Sequence, residues 1–348
     1  MIDLKKHLVN TGDNIKEALR RLNEIPETLT LFVTDNEGTM VGSVTDGDIR
    51  RGFLRGLDLS CPVQDFMNTP FHYLNDNGMD PVKIKEIKRK GVRLLPVLNK
   101  DGKIIRVIDF KSVKTVLPVD AVLMAGGRGE RLRPLTDTIP KPLLKVGNKT
   151  IIDYNIDHLR KFGIRNYYLT IRYLGELIEQ HLGSGENRDI KIHYIKESAP
   201  MGTFGSVAAI SNFSSDVVMV MNSDLFTNID LEGFYQDFIQ QEADMSVATV
   251  PYTVDVPYAV LNLKDKLVEG LSEKPTYVYH SNAGIYLIKR ELINTVKKPG
   301  YLDITDFMES IIRQGKRVIR YPIVGYWVDI GKHEDYQKVQ EIVRHIDQ

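Results

Sequence analysis

The apolar and polar positions of this chain follow two rhythms. Up to about residue 117 a short unit occurs twice, each copy containing an amphipathic helical stretch, an apolar strand, a polar turn and a second strand. In the first copy, residues 14–22 have helical spacing, 29–34 read as a strand and Asp35-Asn36-Glu37-Gly38 as a hairpin turn. In the second, 81–90 are helical, 94–98 are a strand, Asn99-Lys100-Asp101-Gly102 turns the chain and 103–108 return. From Val119 the rhythm changes to apolar strands alternating with amphipathic helices, which predicts a doubly wound α/β sheet. The strands expected are 121–124, 166–171, 190–194, 217–221 and 245–250, with helices between the first four, and then 259–263, 283–288 and 317–322. A charged amphipathic helix is expected at 334–346; no hexapeptide repeat follows it, so no fused acyltransferase is expected. The change of rhythm predicts two domains, 1–117 and 118–348, which suits a chain of 348 residues.

Composition narrows the class. A hydrophobic content of 42% with 26% charged residues describes a folded chain rather than a disordered or collagen-like one. Lys plus Arg and Asp plus Glu both number 46, so there is no basic excess to hold a nucleic-acid backbone. The single cysteine, Cys61, has no partner for an internal disulfide, and the N-terminus lacks the apolar run of a signal peptide. With no stretch near the roughly 20 apolar residues that span a bilayer, a cytoplasmic protein without a membrane segment is expected.

The strongest chemical signal follows the first strand of the second domain. Val122-Leu123-Met124-Ala125-Gly126-Gly127-Arg128-Gly129-Glu130-Arg131-Leu132-Arg133-Pro134-Leu135-Thr136 leads to Pro140-Lys141-Pro142-Leu143. A buried strand running into a glycine-rich loop lets backbone N–H groups surround a phosphate chain at the end of the sheet where α/β proteins bind ligands. Arg131 and Lys141 are placed to neutralise such phosphates. A dinucleotide fingerprint needs Gly where Leu132 stands, and a Walker loop needs Gly-Lys-Ser/Thr, so neither fits.

At these residues the chain resembles the sugar-1-phosphate nucleotidyltransferases, whose opening motif is Gly-Gly-x-Gly-x-Arg-Leu-x-Pro-Leu-Thr with Pro-Lys-Pro downstream. The resemblance implies a Rossmann-like, doubly wound mixed sheet of the GT-A type, with Ala125, Gly126, Gly127 and Gly129 around the nucleotide. The apolar strand 217–221 ends in Asn222-Ser223-Asp224, and an acidic residue there suits a metal facing phosphates, so Asp224 is expected to hold Mg²⁺. The family's second ligand is the Asp of Trp-x-Asp-Ile-Gly, which is Asp329 in Trp327-Val328-Asp329-Ile330-Gly331. Its Glu-Lys-Pro segment matches Glu273-Lys274-Pro275, which implies that Lys274 grips the sugar phosphate while Glu273 faces sugar hydroxyls. Asn282-Ala283-Gly284 matches the family's Asn-x-Gly strand, which implies a sugar contact from Asn282; a buried structural Asn reads nearly as well.

Lys196 to Ser206 resembles the family's Leu-Gly-Thr-Ala-Gly loop and is expected against base and sugar, with Gly202 in the turn. Glu197 there is able to accept from guanine's ring N–H and amino group together, whereas uracil and thymine offer a single ring N–H. Guanine is the preferred base on that ground; a Glu197 that points only to solvent is the bland alternative. Two departures bear on the sugar: Ala259 stands where relatives usually have Gly, and Lys332-His333 replaces Thr-Pro.

The first domain resembles a pair of CBS modules through Gly42-Ser43-Val44-Thr45-Asp46-Gly47-Asp48, Met67-Asn68-Thr69-Pro70 and Leu95-Pro96-Val97. Such modules commonly bind adenine nucleotides with a Thr and an Asp three residues later, which Thr45 and Asp48 match. The second copy has Val107-Ile108-Asp109-Phe110-Lys111-Ser112 at that point, so one nucleotide site is expected and not two. The alternative is a packing or dimerisation module in which Asp48 caps a helix starting at Ile49.

The expected reaction is attack of a sugar 1-phosphate oxygen on the α-phosphorus of a triphosphate, GTP by preference, with release of diphosphate. The nucleophile is already anionic, so positioning and electrostatics suffice and no general base is required. The combination with a CBS pair resembles guanylyltransferases that make GDP-glucosamine for legionaminic acid, and also mannose-1-phosphate guanylyltransferases; glucosamine 1-phosphate is the sugar favoured. A UTP or CTP donor, and a nucleotide-sensing regulator without turnover, are the competing readings. Both domain types usually form homo-oligomers, which is the assembly expected.

Overall fold

The computed structural model describes residues 2–76, 80–296 and 300–346. It divides into two compact units, one made of residues 1–117 with 161–163 and the other of 118–160 with 164–348.

The first unit contains two three-stranded sheets of the same plan. Leu8–Asn10, Thr30–Thr34 and Met40–Thr45 make one; Leu74–Asn75, Leu94–Leu98 and Ile104–Asp109 make the other. In each, the first pairing is parallel and the second antiparallel. Helix Ile15–Glu24 starts at Asn14, whose side chain accepts from the Glu17 amide; it buries Ile15, Ala18 and Leu22 against Leu31, Val33 and Val44. In the second copy, Pro81 at the first helical position and Asp80 as cap begin helix Pro81–Arg89, which buries Ile84 and Ile87. The repeat legible in the sequence is therefore a repeat of structure.

The second unit is built on a mixed seven-stranded sheet in the order Lys191–Lys196, Asn166–Ile171, Val119–Ala125, Val217–Asn222, Thr276–Lys289, Met245–Asp255, Val318–Pro322. The first four strands run parallel, and Thr276–Lys289 is antiparallel to both its neighbours. Helices Ile151–Lys161 and Gly175–Leu182 make the first two crossovers; the third is a single short helix, Gly205–Ala208. Valines, leucines and isoleucines on both faces of the parallel strands are buried, as expected for a sheet covered on two sides. Asp120 is the exception on the first strand. It is fully buried and accepts from the amides and hydroxyls of Ser214 and Ser215 and from the Asn166 amide, which anchors the loop before the fourth parallel strand.

Two expectations need correcting. Strand 259–263 does not join the sheet: Val260–Lys264 pairs with Leu267–Ser272 in a separate hairpin. Strands 245–250 and 283–288 each run on beyond the buried stretch, as Met245–Asp255 and Thr276–Lys289, in an exposed two-stranded ribbon. The hydrophobic pattern marks where burial stops, whereas backbone pairing continues past it.

Candidate active site

A cleft of about 630 Å³ lies at the carboxyl ends of the parallel strands, where Ala125, Thr170, Glu197 and Asn222 reach it. One wall is the glycine loop. Gly129 has φ +63°, and a Cβ there would lie 3.1 Å from Thr136 Cγ2 and 3.2 Å from Lys141 Cβ. The Thr136 hydroxyl donates to the Gly129 carbonyl at 2.9 Å, so the loop folds back onto the Pro140-Lys141-Pro142 turn. Arg131 stands on the short turn Glu130–Leu132 beside Gly331, whose Cβ would lie 3.3 Å from its Nη2.

The opposite side carries the acids. Val217–Asn222 delivers Asp224, and Leu225–Thr227 pairs antiparallel with Trp327–Asp329, setting Leu225 opposite Asp329. The Ile330 amide donates to the Asp224 carbonyl at 3.2 Å, and Trp327 Nε1 donates to the Ala283 carbonyl at 2.9 Å. Leu225 and Asp329, 104 apart in sequence, thereby share one small sheet. Lys141, nearly buried, donates from Nζ to Asp224 Oδ2 at 2.5 Å and lies 3.8 Å from Asp329 Oδ1. Asp224 Oδ1 is buried without a hydrogen-bond partner. Burial, with the Asp224 charge adding to it, raises the Asp329 carboxyl above its ordinary range, and Lys141 and Arg131 only partly offset this.

This chemistry fits a divalent cation that also draws ligands from substrate. Asp224 and Asp329 present oxygen donors and one of those oxygens is unsatisfied, but among the described residues no group of three or more His, Cys, Asp or Glu comes together. Octahedral coordination would be completed by phosphate oxygens and water.

The third wall is the loop 197–206. The Ser206 hydroxyl donates to Glu197 Oε1 at 2.6 Å and fixes the carboxylate, whose Oε2 lies 3.3 Å from where a Gly126 Cβ would stand. Gly202, at φ +71°, and Gly205 press against the carbonyls of Leu302 and Gly300. The Thr203 amide and hydroxyl both donate to Asp303 Oδ1, and the Tyr301 hydroxyl donates to Asp303 Oδ2. These bonds, the Thr203 amide's foremost, hold the Asp303 carboxyl below its ordinary range.

Of the residues expected from sequence, Ala125, Gly126, Gly127, Gly129, Arg131, Lys141, Glu197, Gly202 and Asp224 line this cleft, and Asp329 adjoins it through Lys141. Gly284 packs on the Asn222 side chain that lines it. Asn282 is not on the wall and is exposed rather than buried; its side chain donates to the Tyr286 hydroxyl and accepts from the Gly284 amide. Glu273 and Lys274 sit exposed on the turn into Thr276–Lys289, with Lys274 at φ +44°, and neither lines the cleft. Tyr301 and Asp303 lie outside every motif read from the sequence, and Ser206 enters only as the last residue of the loop expected against base and sugar. The only sequence signal for Asp303 is its place just before the amphipathic stretch that becomes helix Ile304–Arg313.

In the first unit, Thr45 and Asp48 form a capping box. Thr45 caps helix Asp46–Leu54, so the helix starts three residues before Ile49, and its hydroxyl donates to Asp48 Oδ2 at 2.6 Å while Arg51 pairs with Oδ1. Both line a separate cleft of about 520 Å³ that also receives Lys90 and Arg93.

The nucleotidyl transferase family model matches residues 120–345, and the CBS domain model matches residues 6–55, which is the first copy. The chain belongs to the nucleotidyl transferase family, as a sugar-1-phosphate nucleotidyltransferase preceded by a CBS module. It is 29% identical over 233 residues to D-glycero-alpha-D-manno-heptose 1-phosphate guanylyltransferase of Aneurinibacillus thermoaerophilus, covering 65% of this chain and 99% of that one. It is 30% identical over 226 residues to a mannose-1-phosphate guanylyltransferase 1 of Oryza sativa subsp. japonica, covering 62% of each. HddC from Yersinia pseudotuberculosis, solved also with GMP-PN, shares the fold at 23% identity and TM-score 0.50 in that complex, covering 64% of this chain and 99% of its own.

Proposed function

We propose that this chain condenses GTP with a sugar 1-phosphate, glucosamine 1-phosphate first among the candidates, to give a GDP-sugar and diphosphate. The observation that carries the donor is Glu197, fixed by Ser206 over Gly126 in the cleft that holds Arg131, Lys141 and Asp224. A carboxylate so held offers acceptors to guanine's paired N–H donors. Its guanylyltransferase relatives and the GMP-PN complex of HddC support the same base.

In the reaction, the sugar phosphate oxygen forms the bond to the α-phosphorus while the bond to the β-phosphate bridging oxygen breaks, and diphosphate leaves. The glycine loop orients the triphosphate by its amides, and Arg131 and Lys141 offset negative charge on it. Asp224 and Asp329 would hold a Mg²⁺ ion, which supplies charge neutralisation at the phosphates. Lys274 and Glu273 serve the sugar phosphate if the exposed ribbon that carries them bends toward the cleft. The cleft at Thr45, Asp48, Arg51 and Arg93 takes an adenine nucleotide, its cations facing phosphate.

Among the described residues no helix is long and apolar enough to cross a membrane. We place the protein in the cytoplasm as a homo-oligomer, where triphosphates and sugar phosphates are made. The test is diphosphate release with Mg²⁺ across GTP, ATP, UTP and CTP paired with the 1-phosphates of glucosamine, N-acetylglucosamine, glucose, mannose and manno-heptose. Release that requires GTP and one sugar supports the proposal; release with UTP or CTP moves the donor, and silence across all pairings leaves the sensor reading.

A further inference from the structure

The cleft contains an ion pair that the transfer reaction cannot leave intact. Lys141 is held between Pro140 and Pro142, with its stem packed against Gly129, and its ammonium is directed at the acids. It occupies Asp224 Oδ2 at 2.5 Å and stands 3.8 Å from Asp329 Oδ1, facing the two carboxylates that would hold a divalent cation. The other Asp224 oxygen is buried and has no hydrogen-bond partner among the described residues.

We propose that Lys141 is a tethered counter-cation that keeps Asp224 closed to a divalent metal until nucleotide phosphates draw the ammonium away, so that metal enters with the nucleotide and not before it. The inference rests on the nucleotidyl-transfer reading of the cleft. Two obstacles face a metal arriving alone. It would meet an ammonium at contact distance from the same carboxylate, where repulsion between like charges is strong. Among the described residues it would also find two protein carboxylates and no third acidic, His or Cys ligand, so that water alone would have to supply the rest of its coordination. A triphosphate removes both at once, giving Lys141 new anionic partners and the metal new oxygen ligands. Each ligand therefore raises the affinity for the other by the same factor.

The experiment measures Mn²⁺ binding to the full chain from the paramagnetic resonance signal of the free ion, with and without a non-hydrolysable GTP analogue. The native chain is expected to bind Mn²⁺ weakly alone and at least tenfold more tightly with the analogue. Lys141→Met, which keeps an unbranched stem as far as Cε and removes the ammonium, is expected to bind Mn²⁺ alone at least tenfold more tightly than the native chain. Lys141→Arg is expected to stay weak, and Lys141→Gln repeats the neutral case if the Met variant does not fold. Mn²⁺ without nucleotide should raise the thermal midpoint of the neutral variants and leave that of the native chain unchanged. Asp224→Asn separates the two levels of the reading. If it abolishes Mn²⁺ binding while the neutral Lys141 variants bind no more tightly than the native chain, the counter-cation proposal is wrong and the metal site stands. If it leaves Mn²⁺ binding with the analogue unchanged, the metal site itself is overturned and the proposal with it.

Discussion

Replacing Glu197 with Gln exchanges one carboxylate oxygen for an NH₂ group and tests the base assignment directly. In the native cleft Ser206 donates to Oε1, leaving Oε2 on the Gly126 side to meet the nucleotide. In the variant the amide oxygen keeps the Ser206 hydroxyl, so the amide NH₂ takes the place of Oε2. Guanine then presents donors to a donor. A hydrogen bond to a charged group is worth about 1.5–3 kcal/mol, so losing the carboxylate should remove about 3 kcal/mol of transition-state binding, roughly a 150-fold fall in kcat/KM for GTP. Inosine triphosphate lacks guanine's 2-amino group and isolates one of the two bonds. The native chain should prefer GTP to inosine triphosphate by about tenfold, corresponding to one bond of about 1.4 kcal/mol, and the variant should not distinguish them. Steady-state diphosphate release with both donors measures this. A variant with native kcat/KM for GTP, or one that keeps the preference for GTP over inosine triphosphate, would refute guanine recognition by Glu197.

Three further outcomes follow from the geometry. Gly202→Ala puts a Cβ 2.5 Å from the Leu302 carbonyl at φ +71°; the loop should shift, and KM for the nucleotide should rise about tenfold or more, which kinetics checks and an unchanged KM contradicts. Asp120→Ala strands the Ser214 and Ser215 amides that Asp120 accepts from; at about 1–3 kcal/mol for each orphaned donor, the thermal midpoint should drop by about 4–24 °C in a unit of this size, as calorimetry would show. The Asp303 carboxyl, held low by the Thr203 amide first and then by the Tyr301 and Thr203 hydroxyls, should titrate below an ordinary aspartate by carbon NMR. Because that folded value lies below the unfolded one, its stabilisation of the cleft rim is complete above the unfolded value and fades only as pH falls through the folded one. Tyr301→Phe should move the midpoint up, and a native midpoint at or above the ordinary value would show that the bonds to Asp303 are not formed.

The parts of the site legible in the sequence are those in which a run of neighbours does the chemistry together. The glycine loop and Pro140-Lys141-Pro142 are local: tight turns need glycine, fixed turns need proline, and phosphate needs cations, so residue types at short spacing report the function. The apolar strand before Asn222-Ser223-Asp224 likewise placed an acid at a strand's end. Glu273-Lys274-Pro275 was equally legible as a motif, yet Lys274 stands on an exposed turn off the cleft wall. Its position is set by how far a ribbon runs beyond the core, and the hydrophobic pattern carries no signal for that.

The α/β class of the second half was legible in the sequence, because burial periodicity and turn chemistry act within a few residues. Tertiary structure alone decided that Asp329 pairs across from Leu225 beside Asp224, that Lys141 neutralises that acid, that Ser206 orients Glu197, and that Asp303 ties Tyr301 to the cleft rim. Each of these is a contact between segments distant along the chain or a choice among several available hydrogen-bond partners. Such choices are made by the packing of the whole sheet, which brings strand ends together that no local pattern relates.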